Sequence, residues 1–361
     1  MGATPVRWVM TGKGEPFVCM PIDTLSPGPD EVLIEIAGCG VCRTDLSFYY
    51  DDVPTRHGLP LTLGHEISGH VIEAGDNALW WVDRAVVVPA LIPCGHCDPC
   101  RRGLAAICPN RKMPGNDIHG GFATHIVVPA HGLCEVDEAR LAATGIGLAD
   151  LAVIADAATA SFHAVVETGV GEGDLVVVNG VGGVGGYAAQ IAGTFGATVV
   201  GIDINADKLA VIEKRCALTL NACGKTPAEL KEAIAAFAEQ RGLPQNGWII
   251  LECSGSRAGR DAAYQLVTQR AIVAVVGCSM DRVEIRDPNL MHFRARAVEN
   301  AGCPPELYPQ ALELVLNGRI KVTEFIEKHW LDEINEVFTA AHAGALKRRG
   351  VLIPPNDGTV P

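Results

Sequence analysis

The chain has 361 residues, enough for two domains with separate cores, and it carries 40 glycines and few aromatic residues. Its formal net charge is −13 with no basic block, which makes nucleic acid and anionic membranes poor partners. No uninterrupted apolar run reaches the ~18 residues that cross a bilayer.

Met1 to Met10 contains no apolar core of a signal peptide and no cleavage site. The 13 cysteines are odd in number and come without an export signal. The expectation is a cytoplasmic, reduced chain whose clustered thiols bind metal. Residues 1–150 are rich in Val, Ile, Gly and Pro. Short alternating runs such as Val32–Ile36 and Ala85–Val88 predict a small β-rich domain with long loops.

Two segments in that half carry metal-type residues. The first is Gly38-Cys39-Gly40-Val41-Cys42-Arg43-Thr44-Asp45 and the second is Gly64-His65-Glu66-Ile67-Ser68-Gly69. Each has a local explanation as well. Free cysteines are often buried small residues, and a lone His65 fits a hydrogen-bonded loop. Next comes Cys94-x2-Cys97-x2-Cys100-x7-Cys108. Four thiolates at this density suit one tetrahedral Zn²⁺ with no open position, which makes the site structural. His96 lies inside the lobe, but four thiolates already complete the tetrahedron. Val153-Ile154-Ala155-Asp156-Ala157-Ala158-Thr159 follows, with Asp156 also placed to cap a helix.

From about residue 157 the pattern changes. Leu175–Val178, Thr198–Ile202, Trp248–Glu252 and Ala271–Val276 read as buried strands. Helices are expected at Val184–Phe195, Ala206–Arg215, Pro227–Arg241 and Arg257–Thr268, with one more near Pro309–Leu316. This alternation predicts a parallel doubly wound sheet. Its first strand runs into Gly180-Val181-Gly182-Gly183-Val184-Gly185. In such a G-x-G-x-x-G run Gly180 makes the tight turn and Gly182 admits the pyrophosphate. Gly185 allows close helix packing, and the helix N-terminus faces the phosphates. Asp203 closes the next strand at the offset expected of the acid that holds the adenosine ribose diol, and a carboxylate there favours NAD over NADP.

Taken together, these motifs resemble the zinc-dependent medium-chain alcohol dehydrogenases along nearly the whole chain. The resemblance implies an α/β architecture. A GroES-like β-rich catalytic domain, 1–156 completed by 301–361, joins a Rossmann doubly wound parallel sheet at 157–300 that binds NAD. It implies two Zn²⁺ per chain. The catalytic one takes Cys42, His65 and Asp156, with Glu66 as a carboxylate that can ligate when bound water or alcohol shifts. The structural one takes Cys94, Cys97, Cys100 and Cys108. The family often carries cysteine at the position of Asp156, and some members use aspartate there.

Zn²⁺ lowers the pKa of a bound alcohol, whose carbon passes hydride to the nicotinamide. Thr44 matches the family hydroxyl that receives the alcohol proton. Relatives often end that relay with a histidine where this chain has Ser47, leaving water, His57 and His70 as exits. Lys208 resembles the lysine near the adenosine ribose, and Arg349 the arginine near the pyrophosphate. The active cleft is expected between the two domains.

The loop segments 46–55, 60–63, 112–116, 120–122 and 239–248, with Glu252–Ser256, resemble a branch of the family whose small-molecule substrate is a cyclic hydroxyacyl-CoA, oxidised at a ring secondary alcohol in aromatic degradation. Ala90 and Tyr49-Tyr50 would shape the cleft mouth, and Arg56, His57 and Arg294 are candidate phosphate partners. Another secondary alcohol or a polyol is the alternative substrate. Joint presence of Cys42, His65, Asp156 and Thr44 argues against a redox-inactive binding or structural relative. The segment Ala297–Gly302 is expected at a sheet edge that pairs in a homodimer or homotetramer.

Overall fold

The computed structural model describes residues 4–23, 25–279, 282, 284–285, 290–299 and 302–355. The chain divides into two compact units, 1–159 with 302–361, and 160–301.

The first unit is built on β-structure. Strands β1 (Val6–Val9) and β2 (Val18–Pro21) form an antiparallel hairpin. A seven-stranded sheet contains β3 (Glu31–Gly40), β4 (Glu66–Ala74), β5 (Ala85–Val88), β6 (His125–Pro129), β7 (Cys134–Glu135), β14 (Ile326–Trp330) and β15 (Arg349–Ile353). Its order is β14-β15-β3-β4-β5-β7, with β6 also on β3. The alternation that marks these strands buries Val32, Ile34 and Ile36 against Ile67, Val71, Val86 and Val88. An irregularity in register between Ile36 and Gly38 interrupts β3 just before the Cys39–Cys42 segment. Such bulges re-aim the chain beside functional sites.

In the second unit six parallel strands take the order β10-β9-β8-β11-β12-β13. They are β8 (Leu175–Asn179), β9 (Thr198–Asp203), β10 (Leu218–Asn221), β11 (Ile249–Glu252), β12 (Ile272–Val275) and β13 (Arg296–Glu299). Near-continuous apolar runs suit strands covered on both faces: β8, β11 and β12 are buried throughout. The order reverses between β8 and β11, which is where nucleotides bind in open parallel sheets.

Helices fall at Gly183–Thr194, Ala206–Ile212, Pro227–Arg241 and Arg257–Gln265. The Pro227–Arg241 helix is framed by a Thr226/Glu229 capping box and a left-handed Gly242, the signals that made its ends legible. The short strand β10, Leu-Thr-Leu-Asn, was not anticipated, because only Leu220 of it is buried. Asn300 and Ala301, within the expected subunit edge, lie outside the described residues. No single described helix is long and apolar enough to cross a membrane.

Two metal centres and a dinucleotide loop

Three segments distant in sequence meet in the first unit. Single ligand atoms of Cys42, His65, Glu66 and Asp156 all lie within 4.8 Å of one another. Cys42 precedes the helix Arg43–Tyr50, and His65 and Glu66 open β4. Asp156 occupies the break between the 3-10 helix Leu148–Ile154 and the helix Ala157–Thr168. Asp156 Oδ2 is 3.4 Å from Cys42 Sγ and 3.5 Å from His65 Nε2. Bonds of about 2.0–2.3 Å at tetrahedral angles place ligand atoms about 3.3–3.8 Å apart. The donor set therefore fits Zn²⁺. Asp156 is also the most open of the group, its side chain 25% exposed against 2% for His65.

Buried charge explains the surroundings. Glu66 is fully buried, and its Oε1 accepts from Arg349 Nη1 at 2.6 Å and from the Ala157 amide at 3.2 Å. Its Oε2 has no partner, leaving an acceptor within the cluster. Burial pushes the Glu66 carboxyl up to about 7 against the pull of Arg349. His65 is held well above its ordinary value because Asp45, Cys42 and Asp156 outweigh the effect of burial. Burial opposes ionisation of Asp156, yet the His65 contact keeps its pKa below normal. A cluster of buried acids is what a divalent cation offsets.

Cys94, Cys97, Cys100 and Cys108 form the second group. The Sγ separations are 3.4 Å for Cys97–Cys100 and 3.6 Å for both Cys97–Cys108 and Cys94–Cys108. Thiolates about 2.3 Å from one Zn²⁺ lie roughly 3.8 Å apart, whereas a disulfide needs about 2.05 Å. The His96 and Cys97 amides pull the Cys94 thiol down to about 6. His96 is exposed and turns its Nδ1 to the Cys94 carbonyl, outside the ligand set.

In the second unit Gly180 has φ +89°, and a Cβ there would lie 2.5 Å from Ser254 Cα. A Cβ on Gly185 would lie 1.8 Å from the Gly180 carbonyl oxygen. The helix Gly183–Thr194 starts directly after Gly182 and contains Gly183, Val184 and Gly185 in its first turn. Asp203 Oδ2 accepts from the Val181 amide and Oδ1 from the Asn205 amide, both at 2.9 Å. Lys208 Nζ is the nearest group to a Cβ built on Gly182, at 3.7 Å. Loop, acid and lysine thus gather at the carboxyl ends of β8 and β9.

Residues 28–138 match the alcohol dehydrogenase GroES-like domain, and residues 183–317 match the zinc-binding dehydrogenase model. The chain belongs to the zinc-dependent medium-chain alcohol dehydrogenases. It is an oxidoreductase of CH–OH groups. It is 29% identical to an alcohol dehydrogenase of Rhizobium meliloti, covering 94% of this chain and 96% of that protein. It is 26% identical to a sorbitol dehydrogenase of Halalkalibacterium halodurans, covering 92% and 94%. The solved galactitol-1-phosphate dehydrogenase of Escherichia coli superposes with a TM-score of 0.83 at 23% identity, covering 98% and 100%.

Several residues of this dehydrogenase have partners that the resemblance did not imply. Arg349 was expected at the pyrophosphate. Its side chain is only 9% exposed and is committed to Glu66, because a buried carboxylate needs a countercharge. Tyr49 was expected at the cleft mouth. It is buried, stacked on Phe17 at 4.7 Å, with its hydroxyl on the Glu15 carbonyl. Ala90 is buried too. Arg56 pairs with Asp117 at 3.2 Å. His70 engages Glu138, and His57 lies against the His119 ring.

Asp45 was missed as an organiser of the site. It is fully buried; its Oδ2 accepts from the Cys42 amide at 2.9 Å and its Oδ1 from the Gly64 amide at 3.0 Å. Oδ1 also lies 3.2 Å from His65 Nδ1, which leaves Nε2 for the metal. The signal was present in the Cys42-x2-Asp45 spacing, which is that of a helix capping box.

Proposed function

We propose that this dehydrogenase uses NAD to oxidise the ring alcohol of 6-hydroxycyclohex-1-ene-1-carbonyl-CoA to the 6-oxo thioester, in anaerobic benzoyl-CoA degradation. The observation that carries the reaction class is the buried convergence of Cys42, His65, Glu66 and Asp156. When bound, Zn²⁺ supplies the Lewis acidity that makes an alcohol easier to deprotonate, and NAD supplies the hydride acceptor.

The chain's own residues perform the remaining tasks. Cys42, His65 and Asp156 hold the metal. Asp45 orients His65, and Arg349 balances Glu66 so that its free oxygen is available to the metal. Thr44 is half-buried, with Oγ1 3.7 Å from Cys42 Sγ, and takes the alcohol proton. Ser47 is a buried hydroxyl where relatives often place histidine, so solvent water is the exit we favour. Gly180, Gly182 and Gly185 receive the pyrophosphate. Asp203 takes the adenosine ribose diol and repels a 2′-phosphate, and Lys208 lies beside the phosphate loop.

The CoA thioester rests on the loop segments of the sequence. The similarity to a sorbitol dehydrogenase along nearly its full length favours a second reading, oxidation of a polyol. Steady-state comparison of the cyclic hydroxyacyl-CoA with free cyclohexenols and polyols separates them. A kcat/KM at least tenfold higher for the thioester supports the first; equal or higher values on free alcohols overturn it. We also propose a homodimer or homotetramer joined at β13, an edge strand of the six-stranded sheet. Light scattering that returns a monomer would sink that assembly.

A further inference from the structure

Asp156 sits in a break in the helical backbone, and such a break frees carbonyls from their usual i+4 partners. The carbonyl of its neighbour Ala155 is instead bound from outside. Tyr308, the first residue of the helix Tyr308–Leu316, donates its hydroxyl to the Ala155 carbonyl oxygen at 2.5 Å. The same oxygen of Tyr308 accepts from the Ala90 amide at 3.2 Å, and the Ala90 amide also reaches the Ala155 carbonyl at 3.2 Å. Thr159 closes the arrangement from the other side. Its Oγ1 donates to the Asp156 carbonyl at 3.2 Å, and its side chain meets the Tyr308 hydroxyl. Tyr308 is 1% exposed and Thr159 is fully buried.

The structure assigns Tyr308 as the positioning residue that fixes the Ala155–Asp156 peptide, and through it the Asp156 carboxylate, for the open metal site. The hydroxyl bonds the Ala155 and Ala90 backbone and the Thr159 side chain, so it acts through the backbone it holds. Burial keeps the phenol protonated and hence a donor. Its partners Ala90 and Ala155 come from two other segments of the same unit. Removing the hydroxyl therefore takes away one of the bonds that fix the Ala155–Asp156 peptide. This assignment rests on Asp156 being a zinc ligand.

The test is zinc affinity, measured on the full-length zinc-loaded protein by chelator competition, because the closed four-cysteine site serves as an internal reference. Tyr308→Phe should weaken the open site about 10–100-fold and leave the four-cysteine zinc unchanged. Thr159→Val should act in the same direction with a smaller change, and it stands in if Tyr308→Phe does not fold. Cobalt substituted at the open site should show a shifted ligand-field spectrum in Tyr308→Phe. Unchanged affinity and spectrum overturn the assignment, as does equal loosening of both metals, which would mark a general structural role. Asp156→Asn separates the two levels. If it leaves zinc affinity intact, the ligand reading fails. If it weakens binding while Tyr308→Phe does not, only the positioning role fails.

Discussion

The two candidate metal centres occupy the same unit but are assembled in opposite ways. The four cysteines lie within 15 residues of sequence, and three of the four are only half-buried. A local loop brings them together, and the closed tetrahedron asks nothing more of the fold than that loop. The other centre draws Cys42, His65, Glu66 and Asp156 from three separate places along the chain, and three of the four are buried. Its ligands need further residues: Asp45 behind His65, Arg349 on Glu66, and Tyr308 behind Asp156. Cys42, Glu66 and Asp156 there face the Arg349 guanidinium, and Asp45 adds an acid beside His65, a balance that favours a bound cation. A closed site stabilises its own loop, whereas an open site must be held by the whole unit so that one position stays available.

The largest expected break in this comparison comes from the open site. His65→Ala should lower kcat/KM by about 10²–10⁴-fold, the worth of several kcal/mol of Lewis acidity, and metal analysis should fall from two zincs to one. Thr44→Val probes the same site without touching the metal. Turnover should fall about 10²-fold or more through loss of proton transfer, with both zincs and NAD affinity retained, as read by stopped-flow kinetics and fluorescence titration.

A change at the closed site should do the reverse. Cys100→Ser should lower the melting temperature and free one zinc, while molecules that remain folded keep kcat within about threefold; zinc release assays and calorimetry check this. The smallest effect sharpens the contrast by leaving both metals alone. Asp203→Ser should weaken NAD about tenfold to a hundredfold relative to NADP, since a charged acceptor for two ribose hydroxyls is lost. Unchanged cofactor preference would remove Asp203 from that role.

The same contrast governs what was legible in the sequence. The four-cysteine lobe could be read from spacing alone, because its geometry is local. Gly180, Gly185 and Asp203 were legible for a related reason: a strand, a turn and a helix start fix their placement. Most strands of the parallel sheet followed from apolar runs, and β10 escaped because it is short and half-exposed. The open site was visible only as separate segments, each with a bland local explanation, and the family resemblance joined them. The Arg349–Glu66 pair was not legible because nothing near Lys347–Gly350 announces the buried carboxylate at the start of β4. Tyr308 gave no signal at all, since its partners Ala90 and Ala155 are more than 150 residues away in sequence.

The central claim is that chemistry and bracing are divided between two zincs. Stepwise chelation of the holoenzyme, followed by metal analysis, NADH formation and melting temperature on the same sample, tests it most directly. Loss of the first zinc is expected to abolish NADH formation with little change in melting, added zinc to restore activity, and loss of the second to unfold the lobe. Activity that survives with one zinc per chain, after the Cys42–His65–Asp156 site has been emptied, would contradict it.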